Sequence, residues 1–369
     1  MTRKNNGNLG KAQISKQDEF YTGLSDISSE LEHYREQLRG KTIFCNCDDP
    51  MESNFFKYFA VNFNALGLKK LIATNYVHSA LSSTGLSLFS LADVQPQEKQ
   101  PYAIEITKVP EPHNDDVGDI YSVGSLLNNP ANTANLLIGD EGYGAGDFRS
   151  RECIELLKQS DIVITNPPFS LFRKYVAQMV KYEKQFLVLG NMNAVTYKEV
   201  FPLFQNNQMW YGPSIRSGDR EFRVPDDYPI TAAGSRVDEY GNKYVRVKGV
   251  RWFTNLDYLG RHEDLDLQRA YCPSAYPKYA NCDAIEVSKT MNIPFDYDGL
   301  MGVPITFLDK YNPRQFDILG SPKTLGQPMS QIAKKGTYQQ GGPRFCLPNG
   351  DGTYRGLYCR IVIRRTASG

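Results

Sequence analysis

Short apolar runs alternate with stretches of helical period through the first half of the chain. KTIFCNC (41–47) is a strand-length run bounded by Gly40 and the turn-forming DDPMES, and it reads as a buried strand. Cys45 and Cys47, two residues apart, are then expected on one side of it. In SNFFKYFAVNFNALG (53–67), Phe55, Phe56, Phe59, Phe63 and Leu66 fall on one helical face, with Ser53 placed as N-cap and Gly67 as terminator. LKKLIATNY (68–76) is a second strand, so the segment is a βαβ unit and predicts a parallel sheet. YAIEITKV (102–109) adds a strand, and LSDISSELEHYREQL (24–38) a preceding helix ended by Gly40. The polar stretch 110–135, rich in Pro, Asn and Asp, reads as a surface excursion.

The alternation resumes at DIVITNPPFS (161–170). IVIT is a strand, and SLFRKYVAQMVKYEK is an amphipathic helix predicted to bury Leu171, Phe172, Tyr175, Val176, Met179 and Val180. QFLVLGN is the next strand. Together these predict an α/β fold, a doubly wound Rossmann-like sheet whose ligands gather at the carboxyl ends of its strands. Past about residue 200 the chain changes to Tyr, Pro, Gly and Arg in short β-like runs such as KYVRVKGVRWFTNL and LYCRIVIRR. That predicts a less regular β-rich region.

A length of 369 residues suits two domains at roughly 150 residues each. The 42 basic and 41 acidic residues leave a net charge of +1, so any surface for a polyanion must be local. Two segments have such a bias. Residues 1–17 carry Arg3, Lys4, Lys11 and Lys16 with no acid, and the tail from Gly352 carries Arg355, Arg360, Arg364 and Arg365 with none. The 23 Tyr and 19 Phe fill a core or stack on bases. The 7 cysteines show no CxxC spacing and the 4 histidines lie far from them, so no metal site is expected and free thiols in a reducing cytoplasm are. No apolar run reaches the roughly 18 residues of a membrane span, and the N-terminus has no secretory apolar core.

The chemistry concentrates at Asn166-Pro167-Pro168-Phe169. Two prolines remove backbone donors and fix φ, making a rigid turn at the end of a central strand. The turn presents two uncharged acceptors, the Asn166 side chain and the Pro167 carbonyl, with Phe169 as a flat face beside them. Such a set suits a planar amine. It accepts from both N–H bonds and aims the nitrogen at an electrophilic carbon, where positioning supplies most of the acceleration. A bare loop leaving a strand is the bland alternative.

These residues resemble the signature [DNS]PP[YFW] of S-adenosylmethionine-dependent amino-methyltransferases. QDEFYT (17–22), FCNCDDP (44–50), SNFFKYF (53–59), VRWFTNLD (250–257) and GVPITFLDKYNP (302–313) resemble, more narrowly, the EcoRI-type DNA adenine-N6 methyltransferase family. The resemblance implies S-adenosylmethionine as cofactor and duplex DNA as partner, with the target adenine flipped from the stack. It puts Tyr21 and Thr22 over the cofactor's methionine end and Asp49-Pro50 at the first strand's end. The GxG of related enzymes is absent there, leaving Asp48 or the amides opening the Ser53 helix to share the grip on the methionine carboxylate. It puts Asn75 at the ribose hydroxyls, and Asp147 and Phe148 at the cofactor adenine, with Gly139-Asp140 the second choice. Trp252 and Phe253 fall where an aromatic sandwiches the flipped base against Phe169, one pointing inward and one outward. Arg216, Arg220, Arg223, Arg251, Arg314, Lys334 and Lys335 are candidates for phosphate or guanine. The implied organisation is a basic arm (1–17), a catalytic domain (18–258) and a target-recognition region (259–369). The implied setting is a monomer in a restriction–modification system with a cognate endonuclease for the same site. Two other readings stay open from the residues: a protein-amide methyltransferase, and a relative that binds DNA without catalysis.

Overall fold

The computed structural model describes residues 22–76, 101–111, 120–216, 219–224 and 234–366. They fall into two compact units, one of residues 1–194 and 212–256, the other of 195–211 and 257–369.

In the first unit, helix α1 (Leu24–Leu31) continues through the 3-10 turn Glu32–Tyr34 into the one-turn helix Arg35–Leu38. It buries Ile27, Leu31, Tyr34 and Leu38. Strand β1 (Thr42–Cys45) follows, then α2 (Asn54–Val61). The hydroxyl of Ser53 accepts from the amides of Phe55 (3.0 Å) and Phe56 (3.4 Å), which is why the helix begins there. Asn62 interrupts it, donating its amide to the Tyr58 carbonyl at 2.8 Å, and a single further turn, Phe63–Leu66, ends at Gly67 with φ +61°. The expected face of Phe55, Phe56, Phe59, Phe63 and Leu66 is buried throughout.

Strand β2 (Lys70–Thr74) pairs parallel with β1, closing the βαβ unit. β5 (Ile162–Thr165) flanks β1 on the other side and β6 (Gln185–Asn191) flanks β5, both parallel. Helix α4 (Arg151–Gln159) leads into β5, and α5 (Phe172–Lys181) connects β5 to β6. Buried on both faces, β1 and β5 read as unbroken apolar runs. The sheet is nevertheless mixed. β3 (Tyr102–Ile106) is antiparallel to β2, β4 (Thr133–Leu136) to β3, and β11 (Val250–Thr254) to β6. The order across the unit is β4-β3-β2-β1-β5-β6-β11. The doubly wound pattern therefore holds for the parallel centre and gives way at both flanks.

Three local expectations are corrected. β1 stops at Cys45, so Cys47 lies in the following turn and does not share the strand's face. The stretch 110–135 contains helix α3 (Val123–Leu127) and the start of β4. They are pinned by buried Asn132, which accepts from the amides of Thr107 and Lys108 and donates to the carbonyls of Lys108 and Leu126. Val180 is 46% exposed, because it sits roughly a quarter turn off the stripe of Phe172, Tyr175, Val176 and Met179. Leu171 precedes the helix and is half-buried.

In the second unit, strand β7 (Trp210–Tyr211) precedes a sheet in the order β12 (Ile285–Glu286), β13 (Met301–Pro304), β17 (Arg360–Arg365), β14 (Phe316–Gly320). A hairpin of β15 (Cys346–Pro348) and β16 (Tyr354–Gly356) accompanies it. Tyr279 stacks on Phe345 with centroids 4.8 Å apart. Arg360, expected as a phosphate contact, instead forks onto buried Glu286 at 2.7–3.2 Å, and the Tyr279 hydroxyl donates to the same carboxylate. Removing one member of a buried pair strands the other's charge. Glu286→Ala is therefore expected to lose about 3–5 kcal/mol in denaturant unfolding, while Ala at exposed Arg364 stays within about 0.5 kcal/mol. No helix among the described residues is long and apolar enough to cross a membrane.

Candidate active site

The carboxyl end of β5 becomes the Asn-Pro-Pro-Phe turn. Thr165 and Pro167 are buried, Asn166 and Pro168 half-buried, and Phe169 opens the 3-10 turn Phe169–Leu171, where the Leu171 amide donates to Pro168 at 2.9 Å. The carboxamide oxygen of Asn166 is buried.

Asp48, just past β1, holds this turn from below. Its carboxyl accepts from the hydroxyl of Thr165, from the hydroxyl of Ser53 at 3.1 Å, and from the backbone amide of Asn166. One buried group thus ties the β1 end, the cap of α2 and the first residue of the turn. Burial pushes its pKa up to about 7, against those hydrogen bonds, which pull it down. This corrects the expected share in the methionine carboxylate, because Asp48 is enclosed by its own chain. Its neighbour Asp49 is half-buried and accepts from the Met51 amide (3.0 Å) and the Tyr102 hydroxyl (3.2 Å). Pro50 is buried. The amides opening α2 are also engaged: Phe55 and Phe56 by Ser53, and Glu52 and Ser53 by the Asp49 carbonyl.

Thr22 is buried, and its carbonyl accepts from the Asn54 side chain at 2.7 Å, so it stands at the α2 start. Tyr21 lies outside the described residues. Asn75, just past β2, is buried and accepts from the Tyr102 amide at 2.7 Å. Gly146 presses against it. At φ +76°, a Cβ there would lie 1.9 Å from the Asn75 carbonyl oxygen, so only glycine brings Asp147 and Phe148 beside the β2 end.

Arg149, which sequence reasoning missed, dominates this corner. It grips Asp147 through Nε (2.9 Å) and Nη2 (2.7 Å), with its own amide also donating at 2.9 Å. Its guanidinium lies over Tyr143 (4.5 Å) and Phe148 (5.3 Å). Phe148 is buried, edge-on to Tyr175. The signal was in GDFR, where an arginine two residues on can return to the aspartate. Asp140, the second choice, accepts from the amides of Gly142, Tyr143 and Arg151 and braces the loop before α4. Those bonds hold it below the usual carboxylate range.

Trp252 and Phe253 are both fully buried, which corrects the expected alternation. All of β11 is covered on both faces, so neither ring offers a face to a base. Trp252 meets Phe55 edge-on at 6.0 Å, and Phe253 meets Phe172, the first residue of α5, at 4.9 Å. Gly190 makes room for that pair, since a Cβ there would lie 2.5 Å from Phe172. Arg251 is buried too, donating to the carbonyls of Val250 (2.9 Å) and Arg216 (2.5 Å).

The cofactor implied by the resemblance finds a fitting donor set. Among the described residues, the hydroxyls of Thr22 and Thr74 are buried without a hydrogen-bond partner, at the α2 start and the β2 end. Such groups call for a polar partner, which a bound ligand or an ordered water supplies. Gly146→Ala is accordingly expected to weaken cofactor binding tenfold or more and to cost about 1–3 kcal/mol through backbone strain. Calorimetric titration with S-adenosylhomocysteine and thermal unfolding would measure the two effects.

Uncharged acceptors at a strand end, with buried polar residues at the neighbouring strand ends, are what a methyltransferase acting on nitrogen needs. The description "Adenine-specific methyltransferase EcoRI" fits residues 8–366, and the chain belongs to that family. It is 47% identical over 332 residues to the type II methyltransferase M.EcoRI of Escherichia coli, covering 89% of this chain and 94% of that one. It is 36% identical over 315 residues to M.MgeORF184P of Mycoplasma genitalium (84% and 85% covered). The same identity over the same length relates it to M.MpnI of Mycoplasma pneumoniae (84% of each). No solved structure matches the chain significantly.

Proposed function

We propose that the protein methylates adenine N6 in duplex DNA, at a specific site within a restriction–modification system, after flipping the base from the stack. The observation that carries this reading is the acceptor corner at the end of β5, with Asn166 held through its backbone by Asp48. Bound S-adenosylmethionine supplies a methyl group on a positively charged sulfur. The chain's own residues do the rest. Asn166 Oδ1 and the Pro167 carbonyl accept from the adenine amino group, and Phe169 keeps the base flat. With that cofactor bound, the nitrogen lone pair would form the new N–C bond as the S–C bond breaks, and the extra proton would leave N6 for water. No ionised base is needed, because the amine becomes strongly acidic once methylated.

Thr22, Thr74, Asn75, Asp147 and Phe148 form the cofactor side in this reading, with Tyr21 added from the N-terminal motif. Residues 18–258 act as the catalytic domain, 259–369 as the recognition region and the basic arm 1–17 as a phosphate contact. The protein works as a monomer in the cytoplasm, alongside an endonuclease of the same specificity. Incubation with methyl-labelled cofactor and mixed duplex DNA, followed by digestion to nucleosides, tests the reaction. Label in N6-methyladenosine is expected; label confined to protein, or none, would overturn it.

A further inference from the structure

One element of the first unit has no part in the site described above. β8 (Asp219–Val224), β9 (Ser235–Val237) and β10 (Lys243–Lys248) form an antiparallel sheet in the order β8-β10-β9. Its two faces differ sharply. Phe222, Val224, Val245 and Val247 are buried on one. On the other, the register sets Arg223 against Tyr244, Glu221 against Arg246, and Asp219 against Lys248, with Arg236 opposite Tyr244. The outward face thus carries four cations (Arg223, Arg236, Arg246, Lys248) against two carboxylates (Asp219, Glu221). Glu221 is engaged by Arg236, which forks onto it at 2.9 and 2.5 Å and lies over the Tyr244 ring at 4.2 Å. Asp238 belongs to the β9–β10 turn at the far end, where it accepts from the amides of Tyr240 and Asn242 and from the Tyr244 hydroxyl. Arg246 and Lys248, at the near end, are exposed.

The topology puts that near end beside the chemistry. Lys248 passes through Gly249, at φ +68°, into β11, whose first residue Val250 pairs with Asn191, the last of β6. The Asn191 side chain donates to the Lys248 carbonyl at 2.8 Å, and the Met192 amide to the Gly249 carbonyl at 2.6 Å, so the junction is fixed. β6 runs parallel to β5, so the junction and the Asn166 turn share one edge of the sheet. On the inward side, Arg220 forms an ion pair with Asp26 of α1 at 3.5 Å, which braces the ribbon within its own unit and withdraws Arg220 from the candidates for phosphate.

We propose that the outward face of β8-β10-β9 binds the phosphate backbone of the target duplex next to the extruded adenine, making the catalytic unit itself a DNA-binding surface. The inference rests on the reaction proposed above. The face's excess of two cations suits a phosphate run, with exposed Arg246 and Lys248 at the end nearest the chemistry, and such contacts set register without reading sequence. The Arg236–Tyr244 platform stiffens the face.

The test is Arg246→Glu with Lys248→Glu in the full chain, titrated with duplex DNA at several salt concentrations. Affinity at low salt is expected to fall tenfold or more, and the slope of log affinity against log salt to shrink by about 2, near one per lost phosphate contact. Cofactor affinity should stay unchanged, while thermal unfolding should fall slightly, because each new Glu faces a carboxylate, Glu221 or Asp219, across the strand pair. If the double reversal fails to fold, Arg246→Gln with Lys248→Gln is expected to give the same loss of slope. Unaltered affinity and slope, in a preparation whose wild type labels adenine, would overturn this surface and leave the reaction standing. A wild type that labels no DNA would overturn both.

Discussion

Alanine in place of Asn166 is expected to abolish methyl transfer while leaving cofactor affinity within about twofold. Removing one prearranged hydrogen-bond donor from an oxyanion hole costs about a hundred- to a thousandfold, and a prearranged acceptor for a developing positive charge is the mirror case. In the proposed reaction the same group also aligns the amine, so the loss should sit at or beyond the upper end. The turn should survive the change. Its path is set by Pro167 and Pro168, and the anchors to Asp48 use the Asn166 amide and the Thr165 hydroxyl, none of which the substitution removes. Asn166→Asp keeps the shape and the acceptor, so its turnover should lie above that of the alanine variant. Rapid-quench transfer from labelled cofactor, paired with calorimetric titration, reads both quantities. Turnover within tenfold of wild type for Asn166→Ala would remove the role assigned to the side chain.

The central strands and α2 were legible because their signals are local. A strand buried on both faces is an apolar run whatever its neighbours do, and Ser53 and Gly67 mark a helix by their own backbone preferences. Strand direction is not local. YAIEITKV reads the same in either sense, and β3 proved antiparallel. Burial was equally hidden in VRWFT, where alternation predicts one wet face only if one face is left uncovered. Polar residues that build structure are the least legible of all. Asn132 fixes a segment with no apolar pattern by engaging four backbone groups, and Arg149 returns to Asp147 across two residues. Asp48 and Asp49 illustrate the limit. Adjacent carboxylates carry one signal in sequence, yet the fold turns one inward against the Asn166 turn and the other toward Tyr102.

That inward carboxyl has a measurable cost. In the unfolded chain Asp48 titrates near the ordinary value of about 3.9, and in the folded protein near 7. Below both values it is protonated in both states and does not affect stability through pH. Between them only the folded state holds the proton, so stability falls as pH rises, and the loss is complete above the folded value. From about pH 5 to about pH 8.5 this single group should remove about 3 kcal/mol. The titratable groups around it do not mask the effect. Burial keeps Cys45, Cys47 and Tyr175 neutral through this range, and Asp49 contributes only a small upward push. Asp48→Asn keeps the size and an acceptor for Thr165 but cannot ionise. Urea unfolding at the two pH values should therefore show the variant losing about 3 kcal/mol less than wild type on going to the higher pH. Equal losses in the two proteins would mean that Asp48 is already charged at the lower pH. The clamp beneath Asn166 would then be a carboxylate hydrogen-bonded strongly enough to outweigh its burial.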